Sequence, residues 1–260
     1  MISGFLPLIL LYPETHYRFR YFSFSKYFKN EPELIIDMPY KSLTGKFPVF
    51  LIVKDSDIYP VMMWEIRFSF LFEDGTTFIK TVLMEKDFNS RLDYEVFEFD
   101  FSEKRGFASL RAEMHYYSGN RKHTAFNDNF KNLSSELEIF INDDEEFFDN
   151  YLQGDLHFHS EYTSDQVEFG SPAETAKLCA ECVGLDFFAL TDHSYDLDDE
   201  PDDYLKKDPD LKKFEEMRSV CEELTDENIT VIPGEEITVK NAKNRNVHLL
   251  AYDEKFFHGS

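Results

Sequence analysis

The sequence predicts two units of different class: an antiparallel β-sandwich-like half over about residues 1–145, then α/β structure from 146 to 260. Three observations carry this reading. Aromatic residues make up 17% of the chain, with 28 Phe, a composition that suits pleated, half-buried strands. Up to residue 142, strand-like runs alternate with turn signals and few segments have helical periodicity. Beyond the charge run Asn142-Asp143-Asp144-Glu145-Glu146, read as a linker, strand-like and helical runs alternate, the order of parallel βα units. A chain of 260 residues that is 42% hydrophobic can bury two cores.

In the first half, Val61 to Phe72 is a long β-branched and aromatic run, and Thr76 to Met84 is a second. Asp74-Gly75 between them is a hairpin signal. Tyr94 to Phe101 alternates residue by residue, as a strand with one wet face does. Leu137 to Ile141 reads as a closing strand. Several strands with turns between them point to a sandwich. No residue cluster there has site-like spacing, and His115 and His123 read as surface residues without partners.

In the second half, Tyr151 to His157 reads as a strand. Pro172 to Val183 reads as a helix, with Ser171 as N-cap, Pro172 first, Glu174 third and Gly184 just past the end. Asp186 to Leu190 is a short apolar strand, Leu211 to Leu224 a second helix, Ile229 to Ile232 a third strand and Val247 to Ala251 a fourth. Cys179-Ala180-Glu181-Cys182 invites a redox or zinc reading, but no second cysteine pair completes a zinc site, and small buried packing residues are the simpler account. Tyr195 to Glu227 holds 14 Asp or Glu against five Lys or Arg, which reads as a solvated face.

Net charge is −24, so generic coating of nucleic acid is excluded, although a small phosphorylated substrate is not, because bound metal ions can reverse the local sign. Three cysteines, all after residue 178, form no disulfide framework and indicate a reducing compartment. Met1 to Tyr12 has no Lys or Arg, hence no signal-peptide n-region, and no run reaches the length of a membrane helix. The expectation is a soluble, cytoplasmic protein with no membrane partner.

Polar, metal-competent residues follow the strands of the second half. His157 and His159 end the first, Thr191-Asp192-His193 the second and Gly234-Glu235-Glu236 the third, while His248 lies in the fourth. In a barrel of parallel βα units, strand C-termini converge on one mouth. Residues i and i+2 of a strand face one way, so His157 and His159 can grip one ion with Phe158 on the other side. Imidazole and carboxylate together suit Zn, Fe or Mn. A carboxylate can bridge two ions, which gives Glu235 or Glu236 a bridging role.

These residues carry a resemblance. Asp155-Leu156-His157-Phe158-His159-Ser160 with Ser164-Asp165, Ala189-Leu190-Thr191-Asp192-His193, Pro233-Gly234-Glu235-Glu236-Ile237-Thr238 and His248-Leu249-Leu250-Ala251-Tyr252 resemble, in order, four motifs of the PHP (polymerase and histidinol phosphatase) metal-dependent phosphoesterases. The resemblance covers about residues 151 to 260. It implies a distorted, TIM-like (β/α)7 barrel holding two or three divalent metal ions (Mn, Zn or Fe). By carry-over, His157 and His159 hold one ion and Glu236 bridges it to a second, with Glu235 facing solvent. His248 completes part of the second site, and Asp165 and His193 hold a third ion. Asp192 and Glu236 are the implied catalytic residues, Asp192 with Asp155 acting by fixing imidazole tautomers.

The implied activity is hydrolysis of a small or terminal phosphate ester by metal-activated water, with Lys240, Lys243 and Arg245 placed to grip a phosphate. Two alternatives stand beside it: a non-catalytic PHP-like metal-binding module, and a related metallohydrolase with a non-phosphate substrate. The chain departs from the family pattern in three ways. Gln166 replaces a Gly, the spacing from His159 to Asp165 is one residue longer, and the family's further His and Asp-x-His pair find no match. The 260 residues are therefore expected to be the front part of a longer protein, or an open form of the barrel, not itself competent to turn over substrate.

Overall fold

A computed structural model describes residues 15–16, 31–129, 137–142, 151–164, 168–201, 203–252, 255 and 257–259. Asp143 to Glu146 of the expected linker, and Asp165 and Gln166, lie outside the described residues. The chain forms two compact units, Tyr17–Asp149 with Cys182–Gly184, and Met1–His16 with Asn150–Glu181 and Leu185–Ser260. The division near residue 150 lies close to the expected one, but Thr15–His16 (β1) belongs to the second unit.

The first unit is built from β2 (Glu33–Asp37), β3 (Lys41–Ser42), β4 (Lys46–Lys54), β5 (Val61–Phe72), β6 (Thr77–Phe88), β7 (Leu92–Asp100), β8 (Gly106–Ser118), β9 (Arg121–Phe126) and β10 (Leu137–Ile141). One sheet runs β2-β4-β7, and the other β3-β10-β8-β5-β6 with β9 also on β8. All pairings are antiparallel except β3 with β10. The Asp74-Gly75 hairpin joins β5 to β6, with Gly75 at φ 80°, a conformation open to glycine. Alternate residues of β5 supply the core: Ile66, Phe68 and Phe70 are fully buried. They meet the other sheet through rings, with Phe70 4.9 Å from Phe99 and 5.9 Å from Phe47, both edge-on. The Phe-rich composition is thus used to fill the space between two sheets. Neither His115 nor His123 is the partnerless surface residue expected. His115 lies 3.3 Å from Glu113, and His123 stacks on Tyr116 at 5.1 Å.

Asp37 ends β2, and its pKa carries a testable consequence. Burial pushes its carboxyl up to about 6, against an opposing hydrogen bond from the Met38 N–H at 2.8 Å. A carboxyl whose pKa is higher folded than unfolded favours folding fully below its unfolded pKa, near 4, and that contribution is lost as pH rises through 6. Asp37→Asn is expected to stabilise the protein by about 3 kcal/mol at pH 8 and by nothing measurable at pH 3.5, read from urea midpoints at both values. An equal shift at both values would exclude titration as the cause.

The second unit contains β11 (Gly154–Phe158), β12 (Glu168–Phe169), α1 (Ala173–Val183), β13 (Phe187–Leu190), α2 (Ser194–Leu197), β14 (Asp199–Glu200), β15 (Asp203–Lys207), α3 (Lys212–Leu224), β16 (Thr230–Lys240) and β17 (Asn246–Tyr252). Its main sheet runs β11-β13-β16-β17. The first three strands are parallel, with α1 and α3 in the crossovers, as the alternating pattern predicts. The acidic stretch folds as α2, the β14–β15 ribbon and α3.

The expected (β/α)7, TIM-like barrel is not formed. Strands outnumber helices seventeen to three among the described residues, and the main sheet is open. After β16 the chain reverses through residues 241–245 and β17 pairs antiparallel, placing His248 opposite Thr238. Val247 to Ala251 is a strand as expected, but not one of a parallel series. Five residues hold only a hairpin turn, whereas a parallel crossover needs a dozen or more. β16 therefore changes partner along its length, parallel to β13 over Thr230 to Pro233 and antiparallel to β17 from Gly234 onward. Gly234 sits at the change, where a Cβ would lie 2.6 Å from the Ala251 carbonyl oxygen, so glycine is required there.

Two local readings also need correction. α1 begins at Ala173, not Pro172, and its first N–H is accepted not by Ser171 but by Glu161 Oε2 at 2.9 Å. Cys179 and Cys182 are only partly buried, whereas Cys221 is buried; all three are free thiols. No helix among the described residues is long and apolar enough to cross a membrane.

Candidate metal centre

The ends of β11 and β13 and the middle of β16 lie side by side, because β16 runs on past its neighbours. The Glu236 N–H donates to the Asp192 carbonyl at 2.8 Å, and Glu236 bridges in register with His193. This lateral alignment brings residues far apart in sequence to one carboxylate. Glu236 Oε2 is 2.7 Å from His157 Nε2, 2.9 Å from His159 Nε2 and 3.7 Å from His193 Nδ1. Glu236 Oε1 is in close contact with His248 Nδ1. Two groups of ligand atoms result, His157–His159–Glu236 and His193–Glu236–His248, each with its atoms within 4.8 Å of one another and both sharing Glu236.

The register question left open between Glu235 and Glu236 is decided by the pleat. Glu236 faces the imidazoles and Glu235 the opposite side, but Glu235 is fully buried, not solvent-facing. Its Oε2 accepts from Ser194 Oγ at 2.9 Å, and its Oε1 meets both the N–H and Nδ1 of His258, at 2.9 and 2.7 Å. His258 belongs to no motif, and nothing in its local sequence signals this partnership across 23 residues.

Burial works to raise the pKa of Glu236, but hydrogen bonds from His157 and His159 and the charge of His193 outweigh it and hold the carboxyl well below the usual range. The group is a charged acceptor at neutral pH. The donor set fits divalent metal. In a tetrahedral site two nitrogens bound at about 2.1 Å to one ion stand about 3.4 Å apart, and the His157 and His159 Nε2 atoms, 3.0 Å apart, are close enough to share one ion. Each half-site offers two imidazoles and one shared carboxylate, a three-ligand set that leaves a coordination position for water. The floor is buried, with His159 and Glu236 side chains 3% and 5% exposed, while His157 and His248 are 48% and 47% exposed and form the accessible rim.

The remaining candidates are placed as follows. Asp192 is fully buried, and its oxygens accept from Ser160 N–H (2.7 Å), Ser160 Oγ (2.7 Å), Thr163 N–H (3.0 Å) and Thr163 Oγ1 (2.8 Å). It clamps the turn after β11 to the end of β13 and is not among the atoms gathered around Glu236. Asp155 Oδ1 accepts from the His157 backbone N–H at 3.0 Å. Asp165 lies outside the described residues. Lys240 follows Glu236 by four residues on β16, and Lys243 and Arg245 lie in the turn beyond it.

Fold and site together define a β-rich chain whose open α/β sheet carries a His–Glu cluster of metal-binding composition. No protein-family model matches the chain, and no curated protein matches it. The likeness to PHP phosphoesterases thus stands on the four motifs alone.

Proposed function

We propose that the α/β unit binds two divalent metal ions across Glu236 and hydrolyses a small or terminal phosphate ester, with motifs related to those of PHP phosphoesterases but on an open sheet. The observation that carries this is one buried carboxylate with imidazoles from the end of β11, from the segment after β13 and from β17 distributed over its two oxygens. When bound, the ions would supply an activated water and neutralise phosphoryl charge. The protein's own part is to hold His157, His159 and His193 around Oε2 of Glu236 and His248 at its Oε1. The three free thiols support a reducing, cytoplasmic setting.

Elemental analysis of the protein after loading with Mn2+ or Zn2+ tests the reading, together with hydrolysis of a generic phosphomonoester. About two ions per chain and chelator-sensitive hydrolysis are expected. Absence of metal above background would overturn it, and two ions without hydrolysis of any ester would leave the non-catalytic metal module as the better description.

A further inference from the structure

We propose that Tyr252 is a positioning residue whose hydroxyl holds the bulge in β11 that aims His157 at Glu236. The inference rests on the metal reading above for its purpose, but not for its geometry. The register of β11 on β13 slips just before the cluster. From Asp155 to Phe158 β11 advances three residues, while β13 advances two, from Phe188 to Leu190. One extra residue in a strand is a bulge, and bulges re-aim side chains beside functional sites. Neither Leu156 nor His157 pairs in register with β13. Side chains meet their backbone groups instead. The His157 N–H donates to Asp155 Oδ1 at 3.0 Å, and the Leu156 carbonyl accepts from the Tyr252 hydroxyl at 2.9 Å. These are the two polar ends of one peptide group, so its plane is held from both sides. The imidazole it carries reaches Glu236 Oε2 at 2.7 Å.

Tyr252 comes from the far edge of the sheet. In the order β11-β13-β16-β17, β17 stands three places from β11, about 14 Å away in a flat sheet and beyond the span of one tyrosine. The sheet therefore curls, and Gly234 shows the direction. A Cβ there would lie 2.6 Å from the Ala251 carbonyl oxygen and 3.2 Å from that of Leu190, so both neighbouring strands lean over one face. Glu236, two residues on, shares that face. Tyr252 pairs opposite Gly234, which has no side chain to block its path across. The two exposed ligands, His157 and His248, thus sit on edge strands that no ladder joins among the described residues, and the Tyr252 hydroxyl links those strands.

The test uses the full chain and four proteins: unmodified, Tyr252→Phe, His157→Ala and the double variant. Tyr252→Phe deletes one oxygen and keeps the ring. Zn2+ affinities are measured by competition with a chromogenic chelator. In the unmodified background, Tyr252→Phe is expected to weaken one of the two ions by about 3–10-fold, the worth of one hydrogen bond. In the His157→Ala background the ion that His157 serves is already lost, and Tyr252→Phe is expected to leave the affinity for the remaining ion unchanged. A residue that merely supported the fold would cost the same in both backgrounds. The second readout needs no metal. Amide exchange of His157, followed by NMR on metal-free protein, is expected to speed up by about 3–10-fold in Tyr252→Phe, while amides of the β16–β17 ladder keep their rates. The proposal is overturned if the affinity loss is equal in the two backgrounds, or if His157 exchange is unchanged by Tyr252→Phe. Failure of the unmodified protein to bind Zn2+ would count against the metal reading alone, because exchange in the metal-free protein still decides whether Tyr252 holds the bulge.

Discussion

Glu236→Gln is expected to remove metal from both half-sites at once and to lower phosphoester hydrolysis by more than about a hundredfold. The reasoning is stoichiometric. His157 and His159 reach Oε2 while His248 reaches Oε1, so this single side chain belongs to both groups of ligand atoms. Gln matches Glu in shape but carries no charge, and its amide nitrogen cannot ligate. Removal of a mere partner of a metal ligand costs about 10–100-fold in affinity or activity, and a shared ligand costs more. By contrast, His157→Ala and His248→Ala each touch one half-site and are expected to leave about one ion bound. Elemental analysis of the three variants reads the difference directly. A Glu236→Gln protein that still carried two ions would show that the centre is assembled around some other residue.

Asp192→Ala is expected to be the most destabilising single change in the α/β unit, at about 3–5 kcal/mol. Four donors converge on this buried carboxylate, two of them backbone N–H groups of the turn after β11. Truncation strands those donors away from water, and each buried unsatisfied group costs about 1–3 kcal/mol before relaxation. The N–H groups of Ser160 and Thr163 have no hydroxyl rotor with which to find another acceptor. Asp192→Asn keeps the shape but introduces donors against donors, so it is expected to recover only part of the loss. Urea unfolding followed by a probe in the α/β unit measures the effect. A loss under about 1 kcal/mol would mean that solvent reaches the turn and that Asp192 is not its clamp.

Much of the architecture was legible in the chain because its signals are local. The β5–β6 hairpin follows from Asp74-Gly75 between two β-branched runs, and β10 spans the Leu137 to Ile141 predicted for it. α3 covers Lys212–Leu224 against a predicted start one residue earlier. His157, His159, His193, Glu236 and His248, which the structure brings together, could be picked out from the chain as candidate ligands, since strand ends, i,i+2 spacing and motif order are written in consecutive residues. The barrel was not, and its failure lies in one connection: the pattern of alternating elements continued to β17, but residues 241–245 are too short to hold a crossover. Connection length outweighed the pattern. The N-cap of α1 escaped for a different reason, since its acceptor, Glu161, comes from twelve residues before the helix rather than from the residue beside it.

The sequence by itself determined the two classes of structure, the β5–β6 hairpin, the longer helices and several of the strands, and which side chains can ligate, because periodicity, turn chemistry and residue type act over a few residues. Only the tertiary structure decided how β16 divides its pairing between β13 and β17, that Glu236 and not Glu235 faces the imidazoles, that Glu235 is buried against Ser194 and His258, and that Asp192 acts on the turn holding Thr163. Apart from the contacts within the β16–β17 hairpin, each of these is a choice of partner across 20 or more residues, set by strand direction and lateral register. Residue type limits such choices, but backbone pairing elsewhere in the fold makes them.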